Sequence, residues 1–244
     1  MITIEEIKSR SVQGVNKPFL CTGDDGRQYY VKGMPGCGRY GLIAEYLAGS
    51  LGVSMGLPVP SLQIVDVPAE LVSLNAVEGI GELGSGPAFG SEYVSFTQEY
   101  SNSIRPSIDP NLQARVLLFD WWIKNEDRKY GANGGNPNML WLPSRGDLKV
   151  IDHHSAFDLD FHEENFWRDH AFASSRDMLK DPLFQNTQKL AMEGALEIYT
   201  PALDSIPEEW KYIDAAWTEM CDFDFQRVRD LLNLWRSDLF WNSL

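Results

Sequence analysis

Tyr30–Pro60 reads YVKGMPGCGRYGLIAEYLAGSLGVSMGLPVP, and the change of period inside it decides the fold class. Tyr30-Val31-Lys32 closes a run of strand formers that begins at Arg27. Leu42, Ile43, Tyr46, Leu47 and Leu51 then recur at helical spacing, and Gly56 with Pro58 and Pro60 stops the helix. Between them the glycine-rich Gly33–Gly38 is expected to be a loop. This handover places Lys32 at the end of a strand and Glu45 in the middle of the next helix. A lysine fixed on a strand can hold phosphate oxygens as a point charge. A glutamate between Ala44 and Tyr46 on a core-facing helix needs a cation, because an unpaired buried carboxylate is costly. Lys32 is the obvious partner. Taken singly, an edge-strand lysine that keeps a sheet soluble and a solvated helix glutamate explain the two residues as well or better.

Working outward, residues 12–22 run into the turn signal Gly23-Asp24-Asp25-Gly26 and then into Arg27–Lys32, which predicts a β-hairpin. Leu62–Val67 reads as a strand, 74–90 as a loop with one helical turn, and Glu92–Phe96 as a strand again. The chain then turns helical. Asp109 before Pro110 is an N-cap followed by a first-turn proline, with Leu112, Val116, Phe119 and Ile123 as the stripe behind them. The helix breaks at Asn125, and 129–138 is a loop. Met139–Leu142 and Leu148–Asp152 flank Pro143–Asp147 as a second hairpin. From Phe161 onward the pattern is amphipathic helix, broken near Asp181-Pro182 and Thr200-Pro201, with Trp217, Met220, Leu231, Trp235 and Leu239 as a core stripe. The expected fold is α+β in one domain of two lobes, a β-rich N-lobe over 1–96 and a helical C-lobe over 97–244.

Composition narrows the function. The 244 residues carry 21 basic and 35 acidic side chains, a net charge of −14, which disfavours coating a nucleic acid or an anionic membrane. It does not exclude a nucleotide, since one lysine and a divalent cation reverse the sign locally. The three cysteines are scattered without CxxC spacing, which fits a reducing compartment. Met1–Arg10 lacks the apolar core of a signal peptide, and no run approaches a membrane span, so a cytoplasmic protein is expected.

Three further features follow Lys32 and Glu45 in an order that phosphoryl transfer explains. Asn125-Glu126-Asp127-Arg128 begins a polar loop at a helix end, where Asp127 can accept a hydroxyl proton. Asn136-Pro137-Asn138 offers a neutral amide oxygen for Mg²⁺ just before a strand. Val150-Ile151-Asp152 ends a hydrophobic strand on a carboxylate, the natural main ligand of that cation. Each carboxylate alone reads equally well as a turn or cap. Strand Lys, helix Glu, loop Asp, loop Asn and strand-end Asp in this sequence is the protein-kinase arrangement. Asp120, inside the central helix, is read either as orienting that loop or as a simple surface carboxylate. His153, His154, His162 and His170 lie near several acidic residues, but no HExxH spacing supports a transition-metal site.

Tyr30–Pro60, Phe119–Trp141 (FDWWIKNEDRKYGANGGNPNMLW) and Val150–Phe157 (VIDHHSAF) together resemble the HipA-like kinase family and, more distantly, the phosphatidylinositol 3/4-kinase group. The resemblance covers roughly residues 12–160. It implies that Lys32 contacts ATP phosphates, that Glu45 holds Lys32, and that Asp127 is the catalytic aspartate. It also implies that Asp152 with Asn138 or Asn136 binds Mg²⁺, and that Glu92, Tyr93 and Val94 form the hinge that hydrogen-bonds adenine. The phosphate loop falls at Gly14–Pro18, with Asn16 and Lys17, or alternatively at Gly33–Gly41. In place of the DFG-like glycine stands His154, where a positive φ would be strained. The implied acceptor is a Ser or Thr of a protein substrate or cognate partner, a basic one being favoured by the −14 charge, in a toxin–antitoxin or defence setting. A non-catalytic kinase-like binding module and a small-molecule or lipid kinase remain as alternatives.

Overall fold

The computed structural model describes residues 1–11, 17–74, 77–131 and 134–244. In chain order the elements are β1 (Ile2–Arg10), β2 (Phe19–Gly23), β3 (Gln28–Lys32), α1 (Met34–Ser54), β4 (Leu62–Val67), α2 (Ala69–Ser73), β5 (Gly86–Glu92) and β6 (Gln98–Glu99). They continue with α3 (Pro110–Trp122), β7 (Met139–Leu142), β8 (Asp147–Val150), α4 (Glu163–Asp169), α5 (Pro182–Ser205), α6 (Glu208–Lys211), α7 (Phe225–Asn233) and α8 (Asp238–Asn242). The fold is mixed α+β. No helix among the described residues is long and apolar enough to cross a membrane.

The chain forms two compact units. The first comprises Met1–Tyr46, Pro60–Ser95 and Ala202–Phe223. Its strands close a barrel in the order β1-β2-β3-β5-β4. Neighbours are antiparallel except β1 and β4, whose parallel pairing of Ile2 with Val65 completes the ring. Ile4, Phe19, Cys21, Tyr29, Val31, Val65, Val67 and Ala88 fill its core, with Ile80 and Leu83 of the β4–β5 connection. The predicted hairpin into Lys32 is β2–β3, while the first part of its expected leading run, residues 12–16, lies outside the described residues. β1 has no counterpart among the expected strands; only Ile4 of its nine residues is buried, and its pairing with β2 shifts register twice.

Two expectations in this unit need correction. The strand expected at 92–96 lies six residues earlier, at Gly86–Glu92, because Glu92 is the last residue in register with Tyr29 of β3. The loop expected over 33–38 is helical. Pro35 sits in the first turn, where its missing N–H costs no bond, and Cys37 N–H reaches Gly33 O at 3.0 Å. Gly38, at φ 72° and ψ 162°, interrupts α1 before the main helix. Gly33 serves close approach: a Cβ there would stand 1.5 Å from the Leu83 carbonyl oxygen. Gly33→Ala is therefore expected to cost about 3 kcal/mol in urea unfolding, since backbone rather than a flexible side chain must yield. A loss under about 0.5 kcal/mol would contradict this packing.

The second unit comprises Leu47–Val59, Phe96–Pro201 and Asp224–Leu244. α3 is its axis. Asp109 caps it as predicted, its carboxylate accepting the N–H groups of Asn111 and Leu112. The helix is buried well beyond the expected stripe, with Ala114 and Val116–Trp122 all inside, and Trp122 donates to Leu232 O at 2.9 Å. The second hairpin is β7–β8, joined to β6 in a three-stranded sheet. α5 continues through Pro201 to Ser205, whereas a break was expected there. The expected core stripe also fails: Trp217, Met220 and Leu239 are 43, 54 and 80% exposed, and only Trp235 of the strong apolar positions is buried. The apolar spacing at 217–220 imitates a helix, but Asp214 accepts the N–H groups of Ala216, Thr218 and Glu219 and folds the segment into a turn.

Candidate active site

In the first unit, β3 ends on Lys32 and α1 begins two residues later, so thirteen residues of chain return Glu45 to the lysine. Lys32 Nζ lies 2.8 Å from Glu45 Oε2, with 8 and 3% exposure. The demand of a buried carboxylate for a cation, read from Ala44-Glu45-Tyr46, is met by the expected partner. β3 and β5 are antiparallel, so Lys32 at the end of β3 pairs with Phe89 in the middle of β5, and Glu92 at the end of β5 pairs with Tyr29. At the expected hinge, Glu92 N–H donates to Ser61 O and Tyr93 N–H to Gln28 O, both at 2.8 Å, and Val94 follows. Lys17 has φ 20° and its carbonyl accepts from Arg10 Nε at 3.3 Å, while Asn16 lies outside the described residues.

The second unit gathers the remaining polar residues. α3 ends through Lys124 at φ 52°, which turns the chain into the polar loop. Asn125 Oδ1 accepts the Asp127 N–H at 3.2 Å. Asp127 Oδ2 accepts Asn138 Nδ2 at 3.0 Å, so the loop aspartate and the loop asparagine, eleven residues apart, touch. Asn136 Oδ1 is occupied by the Asn138 N–H at 3.3 Å. Asn138 Oδ1 accepts nothing among the described residues, which makes Asn138 the better oxygen donor of the two. Asn138 O accepts the Ile151 N–H at 3.0 Å, and this bond carries the β7–β8 pairing one step beyond the sheet towards Asp152.

β8 stops at Val150, and Asp152 takes φ 61°. The positive φ therefore falls on Asp152 and Phe157, not on His154, where the glycine-to-histidine replacement had suggested strain. Asp tolerates the left-handed region better than most side chains do. The two adjacent histidines diverge: His153 is buried with its ring 5.9 Å from Phe119, and His154 Nδ1 lies 2.5 Å from Asp152 Oδ1. Ser155 Oγ is 3.1 Å from His154 Nε2. Burial pushes the Asp127 carboxyl above the usual range; the Asp152 charge adds to this, and His154, Asn138 and Arg128 oppose it.

One residue holds these pieces together. Arg128 is fully buried, with Nε 2.6 Å from Asp120 Oδ2 and Nη2 3.3 Å from Asp120 Oδ1. Its Nη1 donates to the carbonyls of Pro137, Asn138 and Ile151 at 3.1, 2.7 and 3.2 Å. One guanidinium therefore ties α3 to the segment bearing Asn138 and to the strand end before Asp152. Burial alone would raise the Asp120 carboxyl, but the Arg128 charge and the His170 hydrogen bond hold it well below the usual carboxylate range. Sequence reasoning passed over Arg128, although a buried aspartate inside an apolar helix calls for such a cation.

A family model described as HipA-like kinase matches residues 4–244. The chain belongs to the HipA-like kinase family. No curated protein matches it by sequence. Among nineteen matching chains of solved structures is the Helicobacter pylori proinflammatory kinase CtkA, with 11% identity and a TM-score of 0.52. That alignment covers 100% of this chain and 96% of the other, a likeness of fold. The family match thus extends past residue 160, where the recognised motifs of this HipA-like kinase end, through the C-terminal helices. Its donor set also fits the metal that a kinase requires. Asp152 and Asn138 carry hard oxygen atoms that would suit Mg²⁺ and would leave positions for phosphate oxygens and water.

Proposed function

We propose that this HipA-like kinase is an ATP- and Mg²⁺-dependent phosphotransferase acting on a Ser or Thr hydroxyl of a protein. The observation that carries the reading is the contact between Asp127 and Asn138 on a scaffold that Arg128 shares with the segment before Asp152. Bound Mg²⁺ would neutralise charge on the transferring phosphate, with Asp152 and Asn138 as its protein ligands. Lys32, fixed by Glu45, offers a further positive charge to phosphate oxygens. Asp127 accepts the proton of the acceptor hydroxyl as the hydroxyl oxygen bonds to the γ-phosphorus and the bond to the β–γ bridging oxygen breaks in line, releasing ADP. Residues 1–96 and 97–244 act as the two lobes of one kinase domain on this reading, Glu92–Val94 forming the adenine hinge and Asn16 and Lys17 the phosphate loop. The net charge of −14 favours a basic acceptor or partner protein over nucleic acid or membrane, and the likeness to HipA-like kinases, rather than the charge, is what suggests a toxin–antitoxin or defence role in the cytoplasm.

The test is transfer of labelled γ-phosphate from ATP to the chain itself and to basic proteins, with and without Mg²⁺, across pH. Transfer should require Mg²⁺. Protonated Asp127 cannot accept a proton, so kcat should fall on the acid side. Burial raises the Asp127 carboxyl in the metal-free protein, so the acid limb of kcat/KM, which reports the free enzyme, should come at higher pH than the ordinary ~3.9 of aspartate. No ATP·Mg²⁺ binding by calorimetry would instead make the chain a kinase-like binding module.

A further inference from the structure

Arg128 can aim its Nη1 at three carbonyls only while Asp120 holds the opposite edge of the guanidinium. The carboxylate of Asp120 is fully buried and each oxygen has two donors. Oδ1 accepts Asn125 Nδ2 at 3.0 Å and Arg128 Nη2 at 3.3 Å; Oδ2 accepts Arg128 Nε at 2.6 Å and faces His170 Nε2 at 3.0 Å. The tautomer of His170 follows from its other nitrogen. The Phe172 N–H points at Nδ1 from 3.0 Å, so Nδ1 holds a lone pair and the ring proton sits on Nε2, facing Asp120. The ring lies between Phe166 and Phe172, with centroids 5.0 and 6.2 Å away, and burial pushes its pKa down, which keeps it neutral. The backbone fixes it as well: His170 bridges Lys129, and Ala171 N–H and Tyr130 N–H donate to Arg128 O and Asp169 O at 3.0 and 2.9 Å.

We propose that His170 is a positioning residue for phosphoryl transfer, its Nε2–H orienting Asp120 so that Arg128 sets Asn138 and the Ile151–Asp152 link against Asp127. This rests on the kinase reading of those three residues. The histidine touches neither substrate nor metal in that scheme; it adds no charge and removes none. Its contribution is the angle of a carboxylate plane whose rotation would swing Arg128 away from the carbonyls.

Two substitutions separate positioning from mere folding. His170→Gln keeps an N–H near the Nε2 position and loses the acceptor for Phe172. His170→Asn keeps an acceptor near Nδ1 and loses the donor to Asp120. If His170 acts through Asp120, H170N should lower kcat about tenfold or more with KM for ATP changed less than about twofold. H170Q should retain most of kcat. Equal kcat in wild type and H170N, or a loss in H170Q as large as in H170N, would overturn the proposal. Two readouts stand apart from activity. Nitrogen NMR of the histidines should show His170 as the neutral Nε2–H tautomer, and an Nδ1–H tautomer or an imidazolium overturns it. Mn²⁺ affinity, measured without nucleotide, should weaken about tenfold in H170N, and unchanged affinity overturns it. Wild type that binds Mn²⁺ and shows the tautomer yet transfers no phosphate would sink the kinase reading alone, leaving the role of His170 to be decided by the Mn²⁺ comparison.

Discussion

Asp152→Asn should lower phosphoryl transfer by about a thousandfold while leaving the melting temperature close to that of the wild type. The substitution removes a charge and almost nothing else. Asp152 sits at φ 61°, a region that costs most residues about 1–2 kcal/mol and that Asn enters as readily as Asp. Its contact with His154 Nδ1 also survives, because an amide Oδ1 accepts the same N–H. Asp152 is half-buried, so an amide there keeps access to solvent. What disappears is the anionic oxygen proposed to hold Mg²⁺; without the cation, the positive charge on the phosphates falls to Lys32 alone. Steady-state transfer at saturating Mg²⁺, beside a thermal melt, reads both halves. Transfer at the wild-type rate would remove Asp152 from the metal site; a collapse of the melt would mean that the left-handed turn depends on the carboxylate itself.

The parts of this molecule that were legible in the sequence are those in which a local demand has a local answer. Asp109 before Pro110 caps α3 because both requirements of a helix start lie in adjacent residues. Glu45 finds Lys32 because the strand and the helix that carry them are consecutive. The hairpin of β7 and β8 has its turn residues between its strands. Arg128 was not legible in this way. Its partners are Asp120 on the helix before it and carbonyls of residues 137, 138 and 151 after it, and no period or spacing links these. His170 is farther still from Asp120 in sequence, and its bridge to Lys129, with the bonds from Ala171 to Arg128 and from Tyr130 to Asp169, brings it there. β1 keeps no steady period of two because its pairing with β2 shifts register twice, between Ile4 and Glu6 and between Ile7 and Ser9. Trp217 and Met220 mimicked a helix because spacing records where apolar residues fall, not whether an aspartate has already claimed the backbone between them.

Arg128→Met should destabilise the protein by about 3–5 kcal/mol near pH 7, because it leaves the Asp120 carboxylate buried without its cation. Since whole domains are typically stable by only about 5–15 kcal/mol, this is the largest single-residue loss expected outside the barrel. The pH dependence identifies the cause. In the wild type the Asp120 carboxyl is depressed in the folded state. Its stabilisation is therefore fully present above the unfolded value of ~3.9 and is lost as pH falls below it. In R128M the attraction is gone and burial dominates, so the folded carboxyl titrates above the unfolded one. That variant then gains stability as pH falls through the raised folded value, while the wild type does not. The gap between the two proteins, measured by urea unfolding from pH 7 towards pH 4, should narrow steadily. A second substitution, Asp120→Leu in the R128M background, should recover part of the loss at pH 7 and flatten the pH dependence, because no carboxylate then remains to be desolvated. A gap independent of pH would show that Arg128 acts by packing and by its three carbonyl contacts alone, with no part for its charge opposite Asp120.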